Sequence, residues 1–366
     1  MNRTFYLRPL GLYEPRGPVD PAGDPAGVFA GLMLGGGPLA FPAVEAISRA
    51  GSSITRQVVG LSELFERDWR RDTHAAHALI EALVDPRPRY AGLSVDRPRI
   101  MGIVNVTPDS FSDGGQLGSV QAAIEHGLRL AGEGADILDI GGESTRPGSD
   151  PVSLDEELRR VIPVIEGLRA KTDARISVDT RKAEVMARAA AAGVDILNDV
   201  SAFTHDPDAL QAAADSQLPV MLMHAQGDPK TMNDNPHYSD VVLDVFDYLE
   251  QRIKACEAAG IAKSKICVDP GIGFGKHLHH NVAVLSAMSL YHGLGVPVLL
   301  GASRKKLIGQ LCNVDDPKER VHGSIAAALS SIAQGVQIIR VHDVAATRQA
   351  ICVWQASSRG SEAGLV

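Results

Sequence analysis

IMGIVNVTPDSFSDGGQLG, residues 100–118, contains a short apolar strand that ends at a polar residue and opens into a loop. The strand is predicted over residues 100–104, Asn105 stands at its end, and Pro, Asp, Ser and Gly follow. In α/β proteins, a strand end that leads into such a loop is where binding and catalytic side chains are placed. The same pattern recurs along the chain, and this recurrence predicts the architecture.

From residue 100 onward, apolar strands alternate with amphipathic helices. About eight strand–helix units fit into roughly 255 residues, which is the size expected of a (β/α)8 barrel. A doubly wound open sheet is the alternative, and it calls for a glycine-rich dinucleotide turn that opens a helix. The segment DPGIGFGK at 269–276 follows a late strand without that spacing. The predicted fold class is therefore α/β, a (β/α)8 TIM barrel with an N-terminal accessory segment.

The first 97 residues do not follow this alternation. Residues 42–50 and 61–84 are predicted to be helical, and residues 85–99, DPRPRYAGLSVDRPR, are predicted to be a linker. No chemical motif stands out in this part of the chain. We therefore divide the chain into an N-terminal extension at 1–97, a barrel at 98–356 and a C-terminal tail at 357–366.

Composition excludes several classes of function. A net charge of -8 and a pI of about 5.8 argue against non-specific nucleic-acid binding. The 4 cysteines are scattered and form no CxxC motif, which is typical of a reducing compartment. No apolar run approaches the roughly 20 residues that span a bilayer. We expect a cytoplasmic protein that binds small molecules.

Polar side chains stand where the predicted strands end. They are Asn105, Asp139, Asp179, Asn198, His224, Asp269, Lys305, Arg340 and His342. A single Asp or Asn after a strand is often only a helix cap or an Asx turn. Nine such positions at the ends of barrel strands predict one shared pocket, because these ends meet on one face.

The chemistry of these side chains indicates what the pocket binds. Three are rich in acceptors and suit a flat heterocycle that carries N–H and amino donors: Asp179, Asn198 and Asp269. Three are donors that suit a phosphate or an acceptor ring atom: Lys305, Arg340 and His342. Asn105 offers a neutral oxygen to a Mg²⁺ ion that keeps most of its waters and bridges substrate phosphates. The pocket is predicted to hold a polar ring at its base and a diphosphate at its mouth.

Eight motifs in this chain resemble the dihydropteroate synthase family of the folate pathway. They are MGIVNVTPDSFSDGG (101–115), DIGGESTRPGS (139–149), ISVDT (176–180), NDVSA (198–202), LMHAQGDPKTM (222–232), DPGIGFGK (269–276), GASRKKLIG (301–309) and IIRVHDV (338–344). Together they cover the predicted barrel. The resemblance implies a transferase that condenses (7,8-dihydropterin-6-yl)methyl diphosphate with 4-aminobenzoate, giving 7,8-dihydropteroate and pyrophosphate.

The resemblance also implies roles for individual residues. The pterin would be held by Asp179, Asn198, Asp269 and Lys305, with Met223 beside it and with Asp139 and Val341 in the substrate-binding set. The diphosphate and its Mg²⁺ would be held by Asn105, Arg340 and His342. The 4-aminobenzoate pocket would be shaped by Thr145, Arg146, Pro147, Phe274 and Ser303. The implied catalytic set is Asp179, Lys305, Arg340, His342 and Arg146.

The resemblance further implies a homodimer and two loops, 107–118 and 142–149, that close over the substrates. Pterin-binding barrels of corrinoid methyltransferases are a rival, since they share the fold and similar pterin-contacting Asp and Asn positions. A non-catalytic pterin-binding relative is a second rival. GGESTRPGS and SRKKLIG favour the synthase, because a methyltransferase expels no pyrophosphate and seats no 4-aminobenzoate.

Overall fold

The computed structural model describes residues 4–15, 31–66, 73–106, 115–144, 149–227, 231–232 and 234–361. Its largest sheet has 8 strands: β6 (Arg99–Asn105), β7 (Ile137–Gly141), β8 (Arg175–Asp179), β9 (Ile196–Asp199), β10 (Val220–Met223), β11 (Ile266–Asp269), β12 (Leu299–Leu300) and β13 (Ile338–Val341). Their order in the sheet is β11-β10-β9-β8-β7-β6-β13-β12. Every pairing in this sheet is parallel. A parallel bridge between Val268 and Val298 joins the two outer strands, so the sheet closes into the predicted barrel.

Helices follow the barrel strands and cover the outside of the sheet. They are α3 (Gly115–Glu133), α4 (Leu154–Arg169), α5 (Ala183–Ala192), α6 (Ala209–Ser216), α7 (Val241–Ala258), α8 (Leu278–Ser286), α9 (Lys306–Cys312), α10 (Val321–Ile332) and α11 (Val344–Arg359). Within the described residues, short 3-10 helices also lie at Lys263–Lys265, Met288–Leu294 and Pro317–Arg320. Since α11 continues to Arg359, the predicted boundary after residue 356 falls inside this helix. None of the described helices has the length and apolar character needed to cross a membrane.

Two successive layers fill the barrel interior. The lower layer is apolar and consists of Met101, Ile137, Ile196, Met221, Cys267, Leu299 and Ile338. Side chains of a strand alternate between its two faces, so residues two positions further on face the same interior. Those positions hold Ile103, Asp139, Asn198, Met223, Asp269, Gly301 and Arg340. The strand period therefore places a polar layer directly above an apolar one, at the carboxyl ends of the strands.

The segment predicted as a linker is part of the barrel core. Tyr90 is 1% exposed and Val95 is 6% exposed, and both pack against the lower apolar layer. A tight turn presents Tyr90: it pairs with Leu93 through two backbone hydrogen bonds of 2.9 and 2.8 Å. Residues 85–99 thus close the amino-terminal end of the barrel, which a simple linker would leave open.

The N-terminal part forms a small sheet, and the helix predicted over residues 42–50 is wrong. Strands β1 (Thr4–Leu10), β4 (Ala43–Ala50) and β5 (Ser53–Gly60) pair antiparallel, with β4 in the centre. The alanine-rich sequence AVEAISRA favours a helix locally. Pairing with a strand on each side outweighs that preference, because tertiary context overrides weak propensities.

Four short elements complete this part of the chain. Strands β2 (Leu32–Met33) and β3 (Ala40–Phe41) form a second pairing, and two helices follow the sheet. The helix predicted over residues 61–84 corresponds to α1 (Leu61–Glu66) and α2 (Thr73–Val84). The residues between these helices lie outside the described ranges.

The small sheet is docked on helix α7 of the barrel. Tyr6 is 1% exposed, lies edge-on to Phe246 at 5.3 Å and donates its hydroxyl hydrogen to Asp247 at 2.8 Å. Arg49 forms ion pairs with Asp244 at 2.6 Å and with Asp247 at 3.2 Å. This combination of apolar and ionic contacts fixes the extension to the outside of the barrel, as expected of an accessory segment.

Candidate active site

Arg340 is the centre of the polar layer. From the last strand it donates to Asp139 at 2.6 Å and to Asp179 at 2.9 Å. Asn198 donates its amide to the same Asp139 at 3.3 Å. Asp139 is completely buried, and a guanidinium group with two carboxylates forms charge-assisted bonds that hold all three side chains in place. Four of the predicted strand-end residues therefore form one connected network.

Asp179 has an altered affinity for protons in this network. Burial raises its pKa to about 7, and nearby Asp139 adds to the effect while Arg340 opposes it. An acid with such a pKa can accept hydrogen bonds as a carboxylate or donate one when protonated. Carboxylates of this kind are common at sites that bind or transform substrates.

Lys305 and Asp269 influence each other's charge on the other side of the pocket. Burial lowers the pKa of Lys305 to about 8, and Asp269 opposes this effect. Burial raises the pKa of Asp269, which Lys305 opposes. The ammonium group of Lys305 donates to the carbonyl oxygen of Ile272 and lies 4.6 Å from the ring centroid of Phe274. Phe274 is thus held beside the ammonium group of Lys305.

Gly301 leaves space between the two halves of the pocket. A Cβ atom at this position would lie 3.5 Å from Oδ2 of Asp269 and 3.9 Å from the side chain of Arg340. Asp269 and the network around Arg340 therefore both border the position of Gly301. A planar ring that binds there would meet acceptors and donors in both groups.

His342 is oriented by Ser303. The Ser303 hydroxyl lies 3.0 Å from Nδ1 of His342 and accepts the backbone N–H of His342 at 3.1 Å. The two residues come from loops after different strands, so the contact joins the loops after β12 and β13. Loops after the last two strands of such barrels often bind phosphate.

Asn105 lies at the same rim. Its Oδ1 atom and Oδ2 of Asp179 are each 3.9 Å from the position of a Cβ atom on Gly141. Asn105, Gly141 and Asp179 are register partners on adjacent strands. Among the described residues, no cluster of three His, Cys, Asp or Glu side chains has the arrangement of a metal site. This donor set fits a Mg²⁺ ion that takes one amide oxygen and fills its other positions with water and phosphate.

Three predicted residues are placed differently from the others. Met223 ends β10, is 4% exposed and would lie 3.3 Å from a Cβ atom on Gly271, at the wall of the pocket. Val341 is 2% exposed and packs in the core between sheet and helices, so only its backbone faces the pocket side. His224 turns away from the polar layer and lies edge-on to Tyr248 at 4.9 Å. The convergence predicted for all nine strand-end residues therefore does not extend to the ring of His224.

Three further predicted residues, Thr145, Arg146 and Pro147, lie outside the described residues. The same holds for most of the two loops predicted to close over the substrates. The base of the second loop is described: Glu143 accepts the backbone N–H of Val152 at 3.1 Å and pairs with Lys182 at 2.9 Å and Arg181 at 3.2 Å. Both ends of this loop are therefore anchored on a buried carboxylate.

Sequence reasoning missed Glu143 and also Lys276, although both lie inside the quoted motifs. Lys276 is 4% exposed and donates to Nδ1 of His224 at 2.8 Å. A buried lysine behind three alternating glycines was the available signal. It could not be interpreted without knowing which groups the lysine reaches.

Comparison with known proteins agrees with this site. A model of the family described as pterin binding enzyme matches residues 101–342, the part of the chain that forms the barrel and its polar layer. The fold and the site thus define a pterin-binding barrel enzyme.

More specific relatives narrow this class. The dihydropteroate synthase of Escherichia coli strain K12 is 49% identical over 270 residues, which are 74% of this chain and 95% of that protein. That of Neisseria meningitidis serogroup B is 51% identical over 269 residues, covering 72% and 94%. The chain belongs to the dihydropteroate synthase family.

Solved structures are similar in the same way. The dihydropteroate synthase of Xanthomonas albilineans with 4-aminobenzoic acid is 56% identical, covers 74% of this chain and 98% of its own, and has a TM-score of 0.70. The enzyme of the same organism in complex with 7,8-dihydropteroate is 54% identical, covers 72% and 95%, and has a TM-score of 0.67. Family barrels thus match this chain over nearly their whole length.

Proposed function

We propose that the chain condenses (7,8-dihydropterin-6-yl)methyl diphosphate with 4-aminobenzoate, forming 7,8-dihydropteroate and pyrophosphate. The observation that supports this most is the network of Arg340, Asp139, Asp179 and Asn198 at the carboxyl ends of the strands. It offers a flat, polar ring several fixed partners in a water-poor pocket. Relatives of the same family are about half identical to the chain over nearly their full length.

In this reaction the amine nitrogen of 4-aminobenzoate forms a bond to the methylene carbon of the pterin. The bond from that carbon to the diphosphate oxygen breaks, its electron pair leaves with pyrophosphate, and the amine nitrogen loses a proton. Positive charge develops on the pterin and negative charge on the leaving group. Preorganised groups of opposite charge stabilise such a transition state.

The residues of the chain are arranged for these two charges. Asp179 offers a carboxylate to the pterin side, while Lys305 and Asp269 hold the ring from the opposite wall. His342 and Arg340 face the diphosphate, with Arg146 assigned to the same task by the resemblance. An aniline nitrogen is nucleophilic without deprotonation, so no dedicated general base is required.

We also propose that Mg²⁺ assists this site. Asn105 would hold it through its amide oxygen, and the remaining positions would be taken by water and the substrate diphosphate. When bound, the ion would supply positive charge to the leaving group. Loss of activity when EDTA is added, and its recovery when Mg²⁺ and no other cation is added back, would test this assignment.

The experiment that tests the function is a coupled pyrophosphate assay with and without 4-aminobenzoate. The proposal expects release only when both substrates are present, with 7,8-dihydropteroate formed in equal amount. A methyltransferase-type barrel or a non-catalytic pterin-binding protein would bind the pterin and release no pyrophosphate. Pterin binding without release of pyrophosphate would overturn the proposal.

Three further properties are proposed with the function. We propose a cytoplasmic location from the scattered cysteines, which form no CxxC motif, a homodimer from the family resemblance, and a catalytic unit at 98–356 flanked by an extension and a tail. Sedimentation at several protein concentrations measures the oligomeric state directly. A monomer at all concentrations would contradict the dimer.

A further inference from the structure

The segment after strand β11, residues 270–276, has an unusual backbone. Gly271, Gly273 and Gly275 all have positive φ angles, of 71°, 85° and 62°. A Cβ atom on Gly271 would lie 1.9 Å from the carbonyl oxygen of His224, and one on Gly275 would lie 2.4 Å from that of Gln226. The alternating glycines thus let this segment lie directly against the chain after β10, where side chains do not fit.

Side chains satisfy the backbone polar groups of this segment. The Gly273 N–H donates to Asn281 at 2.7 Å, and the Gly275 carbonyl accepts the Tyr238 hydroxyl at 2.7 Å. The Ile272 carbonyl accepts from Lys305. Buried backbone groups need such partners, because an unpaired one costs as much as a lost hydrogen bond. The shape of the segment therefore depends on a few side chains.

Lys276 provides several of these contacts and also reaches the end of β10. Its ammonium group donates to the carbonyl of Gly271 at 2.8 Å, to that of Phe274 at 3.2 Å and to Nδ1 of His224 at 2.8 Å. A fourth acceptor, the carbonyl oxygen of His224, lies 3.5 Å from the same nitrogen, so acceptors surround the end of this side chain. The lysine is buried at 4% exposure and ties the segment to itself and to the end of β10.

The position of Phe274 follows from this arrangement. Its carbonyl is held by Lys276 on one side, and its ring lies 4.6 Å from the ammonium group of Lys305 on the other. Most of the pterin side of the pocket has different supports, because Asp139, Asp179 and Arg340 hold one another, and only Lys305 and Asp269 of the pterin residues adjoin this segment. Loss of the Lys276 ammonium would therefore disturb one side of the pocket more than the other.

We propose that Lys276 is a positioning residue that sets the 4-aminobenzoate end of the site through Phe274. The inference rests on the proposed function and assigns a role to a buried residue that contacts no substrate itself. It predicts a split between the two substrates: 4-aminobenzoate depends on Lys276, whereas the pterin diphosphate depends on the strand-end network.

The test compares Lys276→Met with the wild type and with Lys254→Met, which changes an exposed lysine paired with Glu250 on the surface of α7. Pyrophosphate release gives the KM for 4-aminobenzoate, and calorimetry gives the Kd for the pterin diphosphate. Loss of hydrogen bonds from a charged donor corresponds to about 10-fold or more, so we expect that rise in the KM for 4-aminobenzoate. The Kd for the pterin diphosphate should rise by a clearly smaller factor, and Lys254→Met should match the wild type.

A milder variant covers the case in which Lys276→Met does not fold. Tyr238→Phe removes only the donor to the Gly275 carbonyl of the same segment, and it should raise the KM for 4-aminobenzoate in the same direction by a smaller factor. Lys276→Arg keeps the charge and should lie between the wild type and Lys276→Met. Equal weakening of both substrates, or an unchanged KM in folded variants, would overturn the positioning role. Wild-type protein that releases no pyrophosphate would instead overturn the proposed function itself.

Discussion

At the scale of single residues, Asp179 combines a raised pKa with a position beside the strand-end arginine. We expect Asp179→Asn to weaken pterin binding and slow the reaction by roughly 10- to 150-fold, because a charge-assisted hydrogen bond is worth about 1.5–3 kcal/mol. Asp173→Asn, which changes an exposed residue before β8, is the matched control. Pterin calorimetry and steady-state kinetics that do not distinguish the two variants would remove Asp179 from the site.

Arg340 and His342 are expected to differ when each is replaced by alanine. Arg340→Ala leaves the carboxylates of Asp139 and Asp179 without their partner, so it should weaken both the pterin diphosphate and the bare pterin. His342→Ala should weaken only the diphosphate, because His342 is held by Ser303 outside the pterin network. Binding of the two ligands to the two variants gives the comparison, and a His342→Ala protein that loses bare pterin equally contradicts it.

Lys305 links pH to stability. Its folded-state pKa is lowered to about 8 from 10.5 by burial. A lowered lysine pKa means that the charged form costs stability, and this cost is present below pH 8 and disappears as pH rises toward 10.5. The Tm of Lys305→Met relative to that of the wild type should therefore fall as the pH rises from 8 to 10.5. A Tm difference that does not change between pH 7 and 10.5 would show that the lysine titrates normally.

At the scale of elements, the contact between the N-terminal sheet and helix α7 depends on few side chains. Tyr6→Phe keeps the aromatic packing and removes the hydroxyl that Asp247 accepts. We expect a loss of about 1 kcal/mol in the free energy of unfolding, since Arg49 still pairs with Asp247. The kcat should not change, because the contact lies outside the barrel. Denaturant unfolding and steady-state kinetics on the same preparation check both statements, and a lowered kcat would connect the sheet to catalysis.

At the scale of the whole molecule, the structure separates two possible truncations. A chain that begins at residue 85 keeps Tyr90 and Val95, which close the barrel, whereas one that begins at residue 94 loses Tyr90. The first truncation should still release pyrophosphate. Its Tm should be lower than that of the full chain, because it exposes the face of α7 that the small sheet covers. The second should also lose solubility, since its apolar lower layer is open to water. Equal Tm and solubility of the two truncations would contradict the role of Tyr90.

The barrel and the order of its polar strand-end residues follow from patterns that are local in the chain. Strand and helix periods are local, and a period of two places Asp139, Asn198 and Arg340 above an apolar layer without any knowledge of distant contacts. The family motifs are local too, because each is a continuous run of residues that can be recognised without knowing the fold. The helix predicted at 42–50 and the linker predicted at 85–99 were wrong, because local propensity contains no information about a partner strand or an open barrel end.

Which of these residues contact one another depends on the folded structure. Arg340 meets Asp139 across 201 positions of the chain, and Lys276 meets His224 across 52. The contact between Lys276 and His224 lies away from the pocket. It gives Lys276 a structural role that the sequence did not indicate. Hydrogen bonds and burial depend on distances in space, and a pattern along the chain contains no such distances.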